Sequence, residues 1–189
     1  MNDGPLLIGD IGGTNARFAL AGADKVGFEN AMTLQCAEFT SSIEAIRHYL
    51  GEVNAPSPAV VCLAAAGPVI DESISVTNNH WTLSMAEIRQ ELGVSASKVI
   101  NDFEAVAWSI PHIEERFLES VGQASQKPLP TDNFNVAIVG PGTVLGSGGL
   151  CKRDGVIVRL VGEGGHIGFA PKSMVHFEVL VVLRDKFDR

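Results

Sequence analysis

The chain has 189 residues, 46% of them hydrophobic and 19% charged, with a formal net charge of −8. That composition builds a packed core and excludes a disordered chain, and the length suits one domain or a small domain with part of a second. With no cluster of Lys or Arg, it also argues against a surface that tracks a nucleic-acid backbone.

The three cysteines, Cys36, Cys62 and Cys151, lie far apart and no C-x-x-C occurs. A disulfide framework or zinc ribbon is not indicated, and a reducing compartment fits best. The start, "MNDGPLLIGD", lacks a basic stretch followed by a long apolar one, so no signal peptide is read there. No apolar run approaches the roughly 20 residues of a membrane span. The expectation is a soluble cytoplasmic protein, with no membrane or nucleic-acid partner.

In chain order, "LLIGDI" reads as a buried strand and "ARFALAG" as a second, joined by a Gly-Gly turn. "VGFENAMTL" is a third. "TSSIEAIRHYLGEV" places apolar residues at 43, 46, 49, 50 and 53, the spacing of a helix that opens on Ser or Thr. "PAVVCLAAAG" is a continuous apolar run of strand length and reads as a central strand. "TLSMAEIRQELG" reads as a helix with Ser84 as N-cap, Glu87 three residues on and Gly93 at its end. "SKVIND" is a short strand ending in two polar residues, and "FEAVAWSI" is a helix stopped by Pro111.

Residues 119–133 are polar with two prolines, a loop or crossover. "NVAIVGPGTVLGSGGL" then reads as strand, glycine turn, strand, and "VIVRLVGEGG" as a strand running into another glycine turn. "VHFEVLVVLRDKF" is apolar every three or four residues and reads as a helix. This order argues for α/β with a mixed sheet. Two halves each open on a strand–glycine turn–strand unit, at 6–20 and 135–150.

A Gly-Gly pair between strands can be a plain hairpin turn. "GDIGGTNAR" carries more than that reading needs. Glycines allow positive φ and close approach, successive N–H groups form an anion nest, and Thr14 and Asn15 add donors. Asp10 at the mouth of the strand is placed to hold a hydrated Mg2+ between itself and a phosphate. No G-K-[ST] occurs, so this is not a Walker A loop. A strand follows the turn, so it is not a Rossmann fingerprint either. "GPGTVLGSGG" is a second such turn, and the pair suggests a nucleotide in a cleft between lobes.

In "VIND", Asn101 and Asp102 sit where a strand meets a helix, at the strand end where α/β sheets place ligands. Asp102 as a plain helix cap is the alternative. "GEGGH" supplies Glu163 and His166. These could be metal ligands, but no second histidine or cysteine lies nearby to complete a site. Carboxylates, an amide and an imidazole suit the donor and acceptor pattern of a polyol better.

"GDIGGTNAR", "INDFEAVAWSIP", "GPGTVLG" and "GEGGHIGFAP", with "AAAGPV" and "TNNHWTLS" between them, together resemble the bacterial glucokinases of the hexokinase–actin–Hsp70 superfamily. The resemblance runs from Leu6 to about Pro171. It implies a ribonuclease H-like, actin-like ATPase fold of two lobes with mixed sheets, at 1–112 and 113–189, and ATP-dependent phosphorylation of glucose at its 6-hydroxyl. Gly9, Asp10, Ile11, Gly12, Gly13, Thr14 and Asn15 would contact ATP phosphates, with Asp10 serving Mg2+, and Gly140, Gly142 and Thr143 would approach from the other lobe. Asp102 would be the catalytic base, and Asn101, Asp102, Glu163 and His166 would bind the sugar. A homodimer is also implied.

Two features depart from the family pattern. Val144 stands where most relatives have glycine, and a β-branched residue resists positive φ. Family members also continue well past Arg189, so the second lobe would be truncated. A non-catalytic sugar-binding or dimerising module of the same family is therefore an alternative. A sugar-responsive repressor relative fits less well, lacking an amino-terminal helix-turn-helix and any cysteine after Cys151.

Overall fold

The computed structural model describes residues 4–22, 27–123, 132–141, 145–162, 164 and 167–187. Two sheets dominate it. The first holds β1 (Leu6–Ile11), β2 (Asn15–Ala21), β3 (Glu29–Gln35), β4 (Val60–Ala65) and β7 (Ala96–Asn101), in the order β3-β2-β1-β4-β7. β1, β2 and β3 form an antiparallel meander, and β1, β4 and β7 run parallel, so the sheet is mixed. A two-stranded ribbon of β5 (Ser73–Ser75) and β6 (Thr82–Ser84) leads into α2 (Met85–Leu92). The apolar pattern of the sequence does not announce this ribbon, because three-residue strands are too short to show a period.

The helix signals act where the sequence places them. Ser41 caps α1 (Ser42–Glu52) by accepting from the Glu44 N–H, and Ser84 caps α2 by accepting from the Glu87 N–H. Gly93 ends α2 in the left-handed region at φ 66°, the conformation that favours glycine at a helix end. Pro111 acts one step later than a clean stop. α3 (Asp102–Ser109) tightens into a 3-10 turn at Ile110–His112 that contains it.

Strand period two sorts the first sheet's residues. Leu7, Ile11, Val61, Leu63, Ala65 and Val99 share one face and join α1 and α2 in the main core. Tyr49 is fully buried beside Phe18, with ring centroids 5.5 Å apart, and its hydroxyl donates to Asn30 O at 3.0 Å. Each such burial contributes about 1.5–3 kcal/mol.

The second sheet comprises β8 (Phe134–Pro141), β9 (Leu145–Arg153) and β10 (Val156–Gly162), antiparallel in the order β10-β9-β8. It repeats the β3-β2-β1 meander of the first sheet. α3 touches β4 and β7 of the first sheet and all three strands of the second. Its Ala107 packs with Phe134 and Leu150 in a small second core. The sheet's outer side is bare: Val139 is 65% exposed and Leu160 58%. α4 (Met174–Phe187) has no buried residue. No helix among the described residues is long and apolar enough to cross a membrane.

Candidate active site

Register fixes the first part of the site. Ile11 pairs with Ala65, and Ala65 with Asn101, so three parallel strands end level at their carboxyl edge. The glycine turn after β1, the Gly67 turn after β4 and the Asn101–Asp102 pair after β7 therefore lie along one edge. At about 4.8 Å per strand, the first turn and Asn101 are roughly 10 Å apart.

The first turn is closed by the Gly12 N–H donating to Asn15 O at 2.9 Å. Neither Gly12 nor Gly13 takes a positive φ, so the expected left-handed anion nest is not how this turn is built. Gly13 is needed for closeness instead: a Cβ there would sit 3.1 Å from Asn78 O. The N–H groups of Gly13 and Thr14 find no acceptor among the described residues and remain available as donors. Ile11 is buried in the core and has only backbone to offer a ligand. Gly9 lies inside β1, against Phe18 and Leu63, away from the turn itself.

Asp10 stands opposite Arg17 in the β1–β2 register, and Arg17 Nη1 donates to Asp10 Oδ2 at 2.8 Å. Both side chains are more than half exposed, so the pair contributes only about 0–1 kcal/mol. A carboxylate so weakly held, with its other oxygen unengaged among the described residues, fits a cation that keeps most of its water. Among those residues no cluster of three or more His, Cys, Asp or Glu is arranged to hold a metal by protein ligands alone.

An open groove of about 550 Å³ runs from Gly13 and Thr14 past Cys36 to Asn78, Asn79 and His80. Asn79 braces the turn: its Nδ2 donates to Gly12 O at 3.0 Å, while its Oδ1 accepts from the Trp81 N–H. The Cys36 N–H donates to Thr14 O at 2.8 Å. Burial pushes the Cys36 thiol above its ordinary value, with the Asn79 side chain opposing.

Asn101 is 9% exposed and caps α3. Its Oδ1 accepts from the N–H groups of Phe103, at 2.9 Å, and Glu104, at 3.4 Å. Its Nδ2 donates to Gly67 O at 3.1 Å, leaving one amide hydrogen to spare. Gly67 has φ 140°, and a Cβ there would come 3.0 Å from Ser75 O. The cap is thus Asn101, while Asp102 opens the helix proper. Asp102 Oδ1 accepts from the Phe103 N–H at 2.9 Å, and its other oxygen has no partner among the described residues. A carboxylate at a helix start is favoured by the helix dipole.

From the second sheet, Gly140 and Gly146 face each other across the β8–β9 hairpin and border the Phe103 ring. Arg159 of β10 pairs with the buried carboxylate of Glu104 and lies over the Trp108 ring. Ser147 Oγ accepts from the Gly164 N–H at 2.9 Å, tying the stretch after β10 back to β9. Gly142, Thr143, Val144, Glu163 and His166 lie outside the described residues. The structure therefore brings Asp10, the first turn, Asn101 and Asp102 to one edge.

A family model described as Glucokinase matches residues 7–189. The chain belongs to the glucokinase family. A curated glucokinase of Chromohalobacter salexigens is 42% identical over 185 residues, 98% of this chain and 57% of its own length. One of Hahella chejuensis is 39% identical over 183 residues, 97% of this chain and 56% of its own. The chain thus spans little more than half the length of these relatives.

A crystal structure of a glucokinase from an Antarctic psychrotroph matches with TM-score 0.77 and 35% identity, covering 100% of this chain and 59% of that one. A glucokinase of Balamuthia mandrillaris, solved in complex with glucose, shares the fold at TM-score 0.69 and 24% identity, over 96% of this chain and 54% of that one. The fold is that of the actin-like sugar kinases, as the family resemblance implied.

Arg17, Asn79, Phe103, Glu104 and Arg159 were not singled out in the sequence. Arg17 had a signal, since a tight turn between two strands folds a basic residue shortly after it back alongside Asp10. Glu104 and Arg159 had none, because their meeting depends on how α3 lies against the second sheet.

Proposed function

We propose that the complete polypeptide encoded by this reading frame is a glucokinase, transferring the γ-phosphoryl group of ATP to the 6-hydroxyl of glucose. The observation that carries this is the level ending of β1, β4 and β7, which sets free turn N–H groups and the Asp102 carboxylate on one edge. Phosphoryl transfer asks for positioning and charge neutralisation more than covalent help. Asp102 accepts the 6-hydroxyl proton as that oxygen bonds to phosphorus and the bond to the ADP oxygen breaks. Asn101, Glu163 and His166 bind sugar hydroxyls alongside it.

Gly13 and Thr14 offer N–H groups to the phosphates, with Gly9, Asp10, Ile11, Gly12 and Asn15 forming the rest of that segment, and Gly140, Gly142 and Thr143 act from the facing hairpin. Asp10 holds Mg2+, which when bound neutralises phosphate charge. We place the lobes at 1–112 and 113–189, a division supported by the two separate sheets. A cytoplasmic homodimer is part of the same reading, supported for compartment by Cys36, Cys62 and Cys151 being free thiols.

For the 189-residue chain by itself, a non-catalytic sugar-binding or dimerising module is the second reading. The bare outer side of the second sheet and the unburied α4 favour it. The test is a coupled assay of the complete polypeptide with Mg-ATP and a panel of hexoses. Glucose-dependent ADP release well above ATP hydrolysis supports the proposal, and ADP release indifferent to every sugar rejects it.

A further inference from the structure

The alternation in β8 puts Phe134, Val136, Ile138 and Gly140 on the side facing α3, opposite Lys152, Leu150, Gly148 and Gly146 of β9. This surface is bulky at one end and bare at the hairpin end. Phe134 and Leu150 fill the bulky end with Ala107. At the bare end lies Phe103, four residues before Ala107 and so on the same helix face. A Cβ on Gly140 would come within 2.5 Å of Phe103 Cζ, and one on Gly146 would overlap the ring at Cε2 and Cζ. Gly148 passes 3.6 Å from Phe103 Cβ by the same measure. The paired glycines thus form a slot whose occupant is this ring.

The backbone of the same residue holds the site. The Phe103 N–H lies 2.9 Å from Asn101 Oδ1 and 2.9 Å from Asp102 Oδ1. We propose that Phe103 is a positioning residue: seated in the Gly140–Gly146 slot, it fixes the first turn of α3, and with it the Asp102 carboxylate, against the β8–β9 hairpin. Two of the glycines in the second turn are then glycine to admit a side chain from the sheet-to-sheet contact, whatever that turn binds at its tip. The Glu104–Arg159 pair lies one residue further on and closes the same contact from β10. This inference rests on the reading of Asp102 as the catalytic base, and extends it to the residue that holds that base in register.

The test is a double-mutant cycle in the complete polypeptide, with Asp102→Asn run in parallel. Phe103→Ala empties the slot, and Gly146→Ala drives the ring out of it. A misplacement of about 1 Å can cost on the order of 10²-fold in rate. Each single variant is expected to lower kcat by about 10–10²-fold with the KM for glucose little changed. The double variant should be no slower than the worse single, because both changes remove one interaction. Phe103→Leu, which refills much of the slot, should restore most of kcat. In the 189-residue chain, Phe103→Ala should speed amide hydrogen exchange at Glu104, whose N–H shares the Asn101 cap.

A ring that served stability alone would shift the melting temperature and leave kcat of the folded enzyme as it was. If Asp102→Asn abolishes turnover while Phe103→Ala keeps wild-type kcat, or the two singles multiply in the double, the proposal is overturned and the site reading stands. If Asp102→Asn itself keeps turnover, both fall together.

Discussion

Replacing Asn101 by alanine removes two separable supports. One is the α3 cap, in which Oδ1 accepts from the Phe103 and Glu104 N–H groups. Losing an N-cap side chain costs about 0.5–2 kcal/mol. The other is the bond from Nδ2 to Gly67 O, a net contribution of about 0.5–1.5 kcal/mol. Together Asn101→Ala should destabilise the chain by about 2 kcal/mol, lowering its melting temperature by about 4–8 °C at this size. Asn101→Ser separates the supports, because serine caps as well as asparagine but is too short to reach Gly67. It should fall between wild type and alanine. Urea unfolding of the 189-residue chain, followed by far-ultraviolet circular dichroism and checked by thermal melts, measures all three. An alanine variant within about 0.5 kcal/mol of wild type would refute the reasoning, and would leave Asn101 as a ligand-binding residue without a structural part.

The Glu104–Arg159 pair sets a buried carboxylate against a half-exposed guanidinium. Arg159→Ala should therefore destabilise by about 1–3 kcal/mol, discounted from the full cost of an orphaned buried charge, and adding Glu104→Gln should recover part of that in the same urea assay. Burial raises the Cys36 and Cys62 thiols above their ordinary 9.0 and, ahead of Glu29, the Tyr49 hydroxyl above 10.0. The unfolded chain then loses these protons before the folded one, so the urea midpoint should fall as pH rises through about 9 and above. A flat profile there would show these groups solvated in the folded chain. α4 exposes Val182 at 63% and Phe187 at 57%. An uncovered face of that kind should make the 189-residue chain self-associate in sedimentation velocity, with Val182→Glu reducing it, and a wild-type monomer at every concentration would count against this.

Elements with caps or long apolar runs were legible in the sequence. Ser84, Glu87 and Gly93 bracket α2 as their chemistry dictates, and 60–65 pairs on both sides as a continuous apolar strand should. The short β5–β6 ribbon was not legible, since Ser73–Ser75 shows no period. In the site, Asp10 and Asp102 were visible because an acid at the end of an apolar strand is out of place in a core. The reason for the glycines was only half visible. Gly12 and Gly13 suggested a left-handed turn, but their φ values are negative and Gly13 answers to Asn78. Gly140 and Gly146 suggested a phosphate, and what fixes them in the described residues is the ring of Phe103, which α3 brings from the other side of the chain's division into lobes. Such tertiary contacts leave no local trace.

The most direct test of the central claim compares Asp102→Asn with wild type in the complete polypeptide, measuring glucose binding by calorimetry and glucose 6-phosphate formation with Mg-ATP. The substitution keeps the side chain's shape and removes its capacity as a base. The account predicts glucose binding largely retained and turnover lowered by ~10²–10⁴-fold. Turnover equal to wild type, with binding intact, would contradict it and leave Asp102 as no more than the first residue of α3.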